Sequence, residues 1–198
     1  MLEIHLFVNP LGTRCLDSER DVLAVERQLQ TKVSYQFIPL VNMKTIQQTL
    51  NLYNLPHCHL KERQQLSCML YQVAMDIKAA SFQGGQHGRE YLVNVQKIMS
   101  DRSVAYTTAI VKKLAQLSHL DWDTFEEDRH SQMVRQSLRK DQTMADDLGV
   151  TATPTAIVLD TNDPNYSLLI HDFTYQALID CARHGQLQIN QDHRLAHK

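Results

Sequence analysis

The 198-residue chain predicts an α/β fold, and three observations carry that expectation. Its first forty residues read strand–helix–strand, a βαβ unit. The next hundred carry an apolar period of three and four, which is helical. After Gly149 the pattern returns to two short strands and a closing helix.

The elements follow in order. Leu2–Val8 alternates apolar residues and predicts a strand, and Asn9-Pro10-Leu11-Gly12-Thr13 is a turn with two breakers. A helix is expected from Arg14 to about Gln30, with Val22, Val25 and Leu29 on one face. Lys32–Leu40 alternates again, through Val33, Tyr35 and Phe37. Helical spacing then links Leu66, Leu70, Val73, Ile77 and Ala80, next Leu92, Val95 and Ile98, and next Val104, Thr108, Val111 and Leu114. Gly84-Gly85 with Gly88 is expected to separate two of these helices. Trp122–Leu148 predicts one further helix with a break near Lys140. No strand-like run falls between 43 and 150. Thr155–Leu159 reads as a buried strand, Asn162–Asn165 as a turn and Tyr166–His171 as its hairpin partner. Tyr175, Leu178, Ile179 and Ala182 suit a last helix, stopped by Gly185.

Composition excludes several functions. Twenty basic against 22 acidic residues leave a net charge of −2. A broad electrostatic grip on nucleic acid or anionic lipid needs a basic excess. No apolar run approaches the ~18 residues of a membrane span. The start, Met1-Leu2-Glu3-Ile4, lacks a basic, apolar leader, so a cytoplasmic protein is expected. Cys15, Cys58, Cys68 and Cys181 form no Cys-x-x-Cys pair and are expected to be reduced thiols.

Several clusters have a plain structural reading. His57-Cys58-His59 lacks a spaced second ligand pair, so it reads as a polar turn after Pro56 and no metal is expected. Asp121, Asp123, Glu126, Glu127 and Asp128 read as a solvated helix start; the alternative is a docking patch. Gly84-Gly85-Gln86-His87-Gly88 follows no strand and carries no Lys-Ser/Thr, so it is a helix break and not a phosphate loop. Ser18 and Ser34 sit in no nucleophile elbow. His5, in the first strand, reads as a packed histidine.

Two motifs remain. One is Phe7-Val8-Asn9-Pro10-Leu11-Gly12-Thr13-Arg14-Cys15. The other is Ala145-Asp146-Asp147-Leu148-Gly149-Val150-Thr151-Ala152-Thr153-Pro154-Thr155. Together with the element order they resemble the DsbA-like branch of the thioredoxin superfamily. The first matches that family's strand, Asn-Pro-Leu turn and redox motif, and the second its approach to a cis-proline. Trp122, Phe125 and Asp128 fall where its last insert helix carries such residues. The resemblance implies a thioredoxin-like domain from 1–42 and 150–187, a helical domain inserted at 43–149 between the βαβ and ββα halves, and a tail at 188–198. It also implies a cis Pro154 beside Gly12 and Cys15.

The redox motif is degenerate: Gly12 stands where the family has its nucleophilic Cys. The chemistry needs an exposed thiolate at a helix N-terminus and a second, resolving thiol. Only the resolving position, Cys15, remains, and the resemblance implies that it is covered. An unperturbed thiol is only ~3% thiolate at pH 7. No catalytic residue is therefore expected among Gly12, Thr13, Arg14 and Cys15. The chain is similar to the YjbH-type (SpxH-type) ClpXP adaptors of Gram-positive bacteria, and that resemblance implies binding of the stress regulator Spx for degradation by ClpXP. The implied peptide groove comprises Pro10, Leu11, Gly12, Thr13, Thr153 and Pro154. No cofactor is expected. The alternatives are a thiol-disulfide oxidoreductase relative, a transferase or isomerase using glutathione, or a monothiol sensor at Cys15.

Overall fold

The computed structural model describes residues 1–29, 32–55, 57–101, 104–161 and 163–183. Its elements are β1 (Leu2–Val8), α1 (Thr13–Gln28), β2 (Val33–Pro39), α2 (Met43–Leu52), α3 (Leu60–Phe82), α4 (Gly85–Met99), α5 (Thr108–Leu117), α6 (Trp122–Asp128), α7 (Gln132–Asp147), β3 (Thr155–Asp160), β4 (Asp163–His171) and α8 (Tyr175–Arg183). The strands form one sheet in the order β2-β1-β3-β4. β1 runs parallel to β2, with Leu2 opposite Val33, and antiparallel to β3, with Ile4 opposite Val158. β3 and β4 are antiparallel.

Strand period explains how the sheet is covered on both faces. Leu2, Ile4, Leu6 and Val8 of β1 point into the main apolar cluster, with Val22 and Val25 of α1, Leu178 of α8 and the cores of α3, α4 and α5. Phe7, Ile38 and Ile157 face the other way, onto Ala145 of α7 and Val150. The expected α/β class, the strand at each chain end and the helical middle are all present.

The structure corrects four element readings. Gly88 lies inside α4, not in a break: a Cβ there would stand 2.1 Å from Ser81 Oγ, so the residue lets α3 and α4 approach closely. The reversal itself rests on Gly84, at φ 134°, a region favouring glycine. The stretch 122–148 is two helices, broken at Arg129–Ser131 and not near Lys140, because Ser131 Oγ accepts the Val134 amide and starts α7 afresh. α5 begins at Thr108, capped by Thr107, and leaves Val104 outside. β4 begins at Asp163, so the hairpin turn is shorter than 162–165. An unforeseen helix, α2, starts in a capping box: Asn42 Oδ1 accepts the Thr45 amide, and Thr45 Oγ1 accepts the Asn42 amide. The expected stop at Gly185 and the tail 188–198 lie outside the described residues. No described helix is long and apolar enough to cross a membrane.

Candidate functional site

The site is built where β1 meets α1. The Asn9 side chain organises the turn: its Oδ1 accepts the Leu11 amide at 3.0 Å, and its carbonyl accepts the Gly12 amide at 3.0 Å. Asn9 Nδ2 donates across to α2, to the Thr45 carbonyl at 3.2 Å and Thr49 Oγ1 at 3.0 Å. Gly12 caps α1 with an ordinary φ of −82°. Glycine is needed there for space: a Cβ would lie 2.8 Å from Asn9 Cβ and 3.3 Å from Cys15 Sγ.

Cys15 sits one turn into α1 and is 1% exposed. Burial pushes its thiol up to about 12, and the nearby Glu19 adds to the rise; the Asn9 amide, donating to Sγ at 3.3 Å, only partly opposes it. Thr153 lies on the same sulfur. The Thr153–Pro154 bond is cis, so the structure brings Gly12, Cys15 and the cis-proline loop together. Of the residues implied for a groove, Gly12 and Thr13 are half-buried, while Pro10, Leu11, Thr153 and Pro154 are buried.

α2 straps this loop. Gln48 Nε2 donates to the Thr153 carbonyl at 3.3 Å, and Thr153 Oγ1 donates back to Gln48 Oε1 at 2.9 Å. Lys44 and Asn42 bond the Thr151 hydroxyl and carbonyl, at 2.8 and 3.1 Å. Gln48 therefore already occupies the Thr153 carbonyl. Behind Cys15, Glu19 is 2% exposed. Burial pushes its carboxyl up to about 8, against the lowering effects of the Gln96 amide and Arg20. Sequence reasoning missed Asn9, Gln48 and Glu19 as members of the site. Only Asn9, ahead of Pro-Leu-Gly, carried a local signal.

The other candidates fall as follows. Ser18 Oγ donates to the Phe173 carbonyl at 2.6 Å and locks α1 to the loop before α8. Asp121 Oδ1 caps α6 by accepting the Thr124 amide; hydrogen bonds from the Thr124 side chain and then its amide lower the carboxyl below the usual range, and Glu126 pairs with Arg129 at 3.1 Å. His59 begins α3, its amide donating to Glu62. No cluster of three or more metal-ligating side chains occurs among the described residues. His5 pairs with Glu3 at 2.8 Å and lines a cavity of about 580 Å³ beside β2, away from the Gly12 turn. All four cysteines are free.

The family model Thioredoxin_5, described as thioredoxin, matches residues 5–180. The chain belongs to that thioredoxin family. Among curated proteins, this Thioredoxin_5 member is 23% identical to the ClpXP adapter protein SpxH of Bacillus subtilis, over 85% of this chain and 62% of that protein. It is 21% identical to SpxH of Bacillus cereus, over 91% of this chain and 69% of that protein. The chain thus spans about three-fifths of the first relative's length. Among solved structures, a putative protein disulfide isomerase from Nitrosomonas europaea superposes with a TM-score of 0.66 at 12% identity, covering 93% of this chain and 98% of that one. DsbA from Xylella fastidiosa superposes at 0.62 and 12% identity, covering 93% and 84%. The cytosolic disulfide reductase DsbM from Pseudomonas aeruginosa does so at 0.59 and 12%, covering 92% and 98%. These likenesses establish a DsbA-like thioredoxin fold, and this Thioredoxin_5 member resembles the SpxH adaptor.

Proposed function

We propose that the chain is a non-catalytic, cytoplasmic thioredoxin-fold adaptor that binds an Spx-like regulator and promotes its degradation by ClpXP. One observation carries the reading. The redox turn has kept its architecture and lost its chemistry, with Gly12 in place of a nucleophile and the remaining thiol buried and held protonated. Dithiol exchange needs a thiolate that can attack and a partner that can resolve, and this turn supplies neither. Similarity to SpxH supports the adaptor direction. A thioredoxin fold stripped of its nucleophile still offers a backbone edge to a partner. On this reading the partner meets the rim formed by Gly12 and Thr13 over Pro10 and Leu11, beside Thr153 and Pro154, and displaces Gln48 to reach the Thr153 carbonyl.

The test is a reconstituted degradation assay with purified Spx and ClpXP. Added protein should speed Spx loss. Thr13→Arg, placing a long charged side chain on the half-buried rim, should slow it, and Gln48→Ala should not. Failure both to bind Spx and to speed its loss would overturn the reading. Disulfide reduction or glutathione conjugation above the buffer rate would replace it with one of the enzymatic alternatives.

A further inference from the structure

β2 is an outer strand of the sheet, paired on one side only, with β1. Its ladder decides which backbone groups remain. The Leu2 amide donates to the Lys32 carbonyl and the Leu40 amide to the Val8 carbonyl, so the even-numbered residues of this strand turn their backbone groups toward β1. Val33, Tyr35, Phe37 and Pro39 turn theirs outward. At the far end Gln142 of α7 stands in for a neighbouring strand. Its Nε2 donates to the Pro39 carbonyl at 2.9 Å, and its Oε1 accepts the Val41 amide at 2.8 Å. The outward groups of Val33, Tyr35 and Phe37 have no such partner among the described residues. Sheet edges are ordinarily blunted by charge, proline, a bulge or a cover. Val33-Ser34-Tyr35-Gln36-Phe37-Ile38 holds neither a charge nor a proline, and its register to β1 is unbroken. The ends of α3 and α4 that face this edge leave a slot of about 580 Å³ in front of it. Ser81, Gly85 and Gly88 keep that wall low, and a Cβ on Gly85 would meet nothing within 4 Å.

Three outward residues in a row, ~6.6 Å apart, match an extended backbone; a compact ligand could satisfy one of them and not the row. An antiparallel strand exchanges both bonds with each. The walls then select side chains. A residue opposite Tyr35 shares the face of Tyr35. On that face Arg89 donates to Tyr35 Oη, lies 5.8 Å from its ring centroid and forms no ion pair among the described residues. Glu3 lies on the opposite face, hydrogen-bonded to His5. We propose that the β2 edge takes up an extended segment of a partner protein by strand addition, with an acidic residue opposite Tyr35 beside Arg89 and apolar residues opposite Val33 and Phe37. The cis-proline loop leads into β3, on the other side of β1. The inference is therefore independent of the adaptor reading.

The probe is the capped peptide acetyl-Val-Thr-Glu-Thr-Val-amide, titrated into the intact, isotope-labelled protein and followed by amide NMR. One saturable site is expected. At saturation the Tyr35 and Phe37 amides should exchange with solvent at least about tenfold more slowly. Lysine in place of the peptide's glutamate should weaken binding at least about fivefold, and Arg89→Glu should reverse that order. An ester in place of the glutamate's amide removes the donor to the Tyr35 carbonyl and should also weaken binding at least about fivefold. These changes to the peptide leave the protein's fold untouched. No saturable binding overturns the proposal, as does binding that leaves the Tyr35 and Phe37 amides exchanging as before, or an ester peptide that binds as tightly. Equal affinity for the two charged peptides, or an order that Arg89→Glu leaves unchanged, overturns the acidic residue beside Arg89. Protection of these amides that grows with protein concentration in the absence of peptide makes the occupant a second copy of this chain and overturns the partner reading.

Discussion

At Gly12 the usual argument for glycine fails, since its φ is one that any residue adopts. Asn9 supplies the reason instead, holding the space a Cβ would enter while its amide is tied to α2. Gly12→Ala should therefore cost ~1–3 kcal/mol, the range of overpacking in a closed site, measured as a lower denaturant midpoint. Glu19 makes a second prediction. The fold binds its proton more tightly than the unfolded chain, lifting the carboxyl from 4.5 to about 8. Its contribution is full below pH 4.5 and is lost as pH rises toward 8. At ~1.4 kcal/mol per pKa unit the whole effect is a few kcal/mol. Gln96, Arg20 and Cys15 are the groups that act on this carboxyl or feel it. Glu19→Gln should flatten the stability–pH curve between pH 4.5 and 8, read from urea midpoints at each pH; an unchanged slope would place the proton elsewhere.

Among the elements, those with a long uninterrupted apolar period are legible in the sequence. β1, α1 and α3 repeat apolar residues often enough for the period to speak. The breaks are harder, because a helix boundary depends on one or two capping groups. The 122–148 stretch shows this: no Gly or Pro marks its break, and the Ser131 hydroxyl on the Val134 amide restarts the helix. Ser131→Ala should cost ~1 kcal/mol for the lost cap. The element just before that break is held by a buried pair. Arg129 forks onto both oxygens of Asp76 in α3, at 2.9 and 2.8 Å; burial acts to lower the guanidinium, and the Asp76 pairing overcomes it and raises the group above its normal range. Tyr106 donates to the same carboxylate. Asp76→Ala removes both buried acceptors of the guanidinium and leaves it Glu126 alone, and ~3 kcal/mol of stability should go with them. Denaturant titration of both variants tests the ranking; a larger loss in Ser131→Ala would show that the cap, not the buried pair, holds α6 and α7 in place. α2 is hidden in the sequence for a related reason. Its buried face is Thr45, Ile46, Thr49 and Leu50, half of it threonines, and Asn9 bonds the Thr49 hydroxyl and the Thr45 carbonyl there.

For the molecule as a whole, the two motifs that reveal the thioredoxin turn are local, so a sequence displays them. What surrounds the turn is assembled from distant segments. Gln48 reaches Thr153 over 105 positions and Gln96 reaches Glu19 over 77, and no spacing rule announces either contact. The same long reach governs how the chain should unfold. The main apolar cluster takes Leu2, Ile4 and Leu6 from the sheet, Val22 from α1, and Leu70, Leu92, Leu114 and Phe125 from four different helices of the central stretch. Neither the ends of the chain nor its middle buries that surface alone. Melting the helices would uncover the sheet, and melting the sheet would uncover α1 and α4. Unfolding is therefore expected as a single cooperative transition, and the protein carries two reporters at opposite parts of the fold. Trp122, in α6, reports the helical stretch by fluorescence, and Cys15, buried beside the cis-proline loop, reports the sheet end by its reactivity toward an alkylating agent. Exposed Cys68 and half-buried Cys58 and Cys181 add a labelling background, and replacing all three with Ser leaves Cys15 as the one thiol that reports. In urea the fluorescence midpoint and the midpoint for Cys15 labelling should coincide. Cys15 becoming reactive at a lower concentration than the fluorescence change would mean that the sheet end opens by itself and the shared cluster does not couple the two.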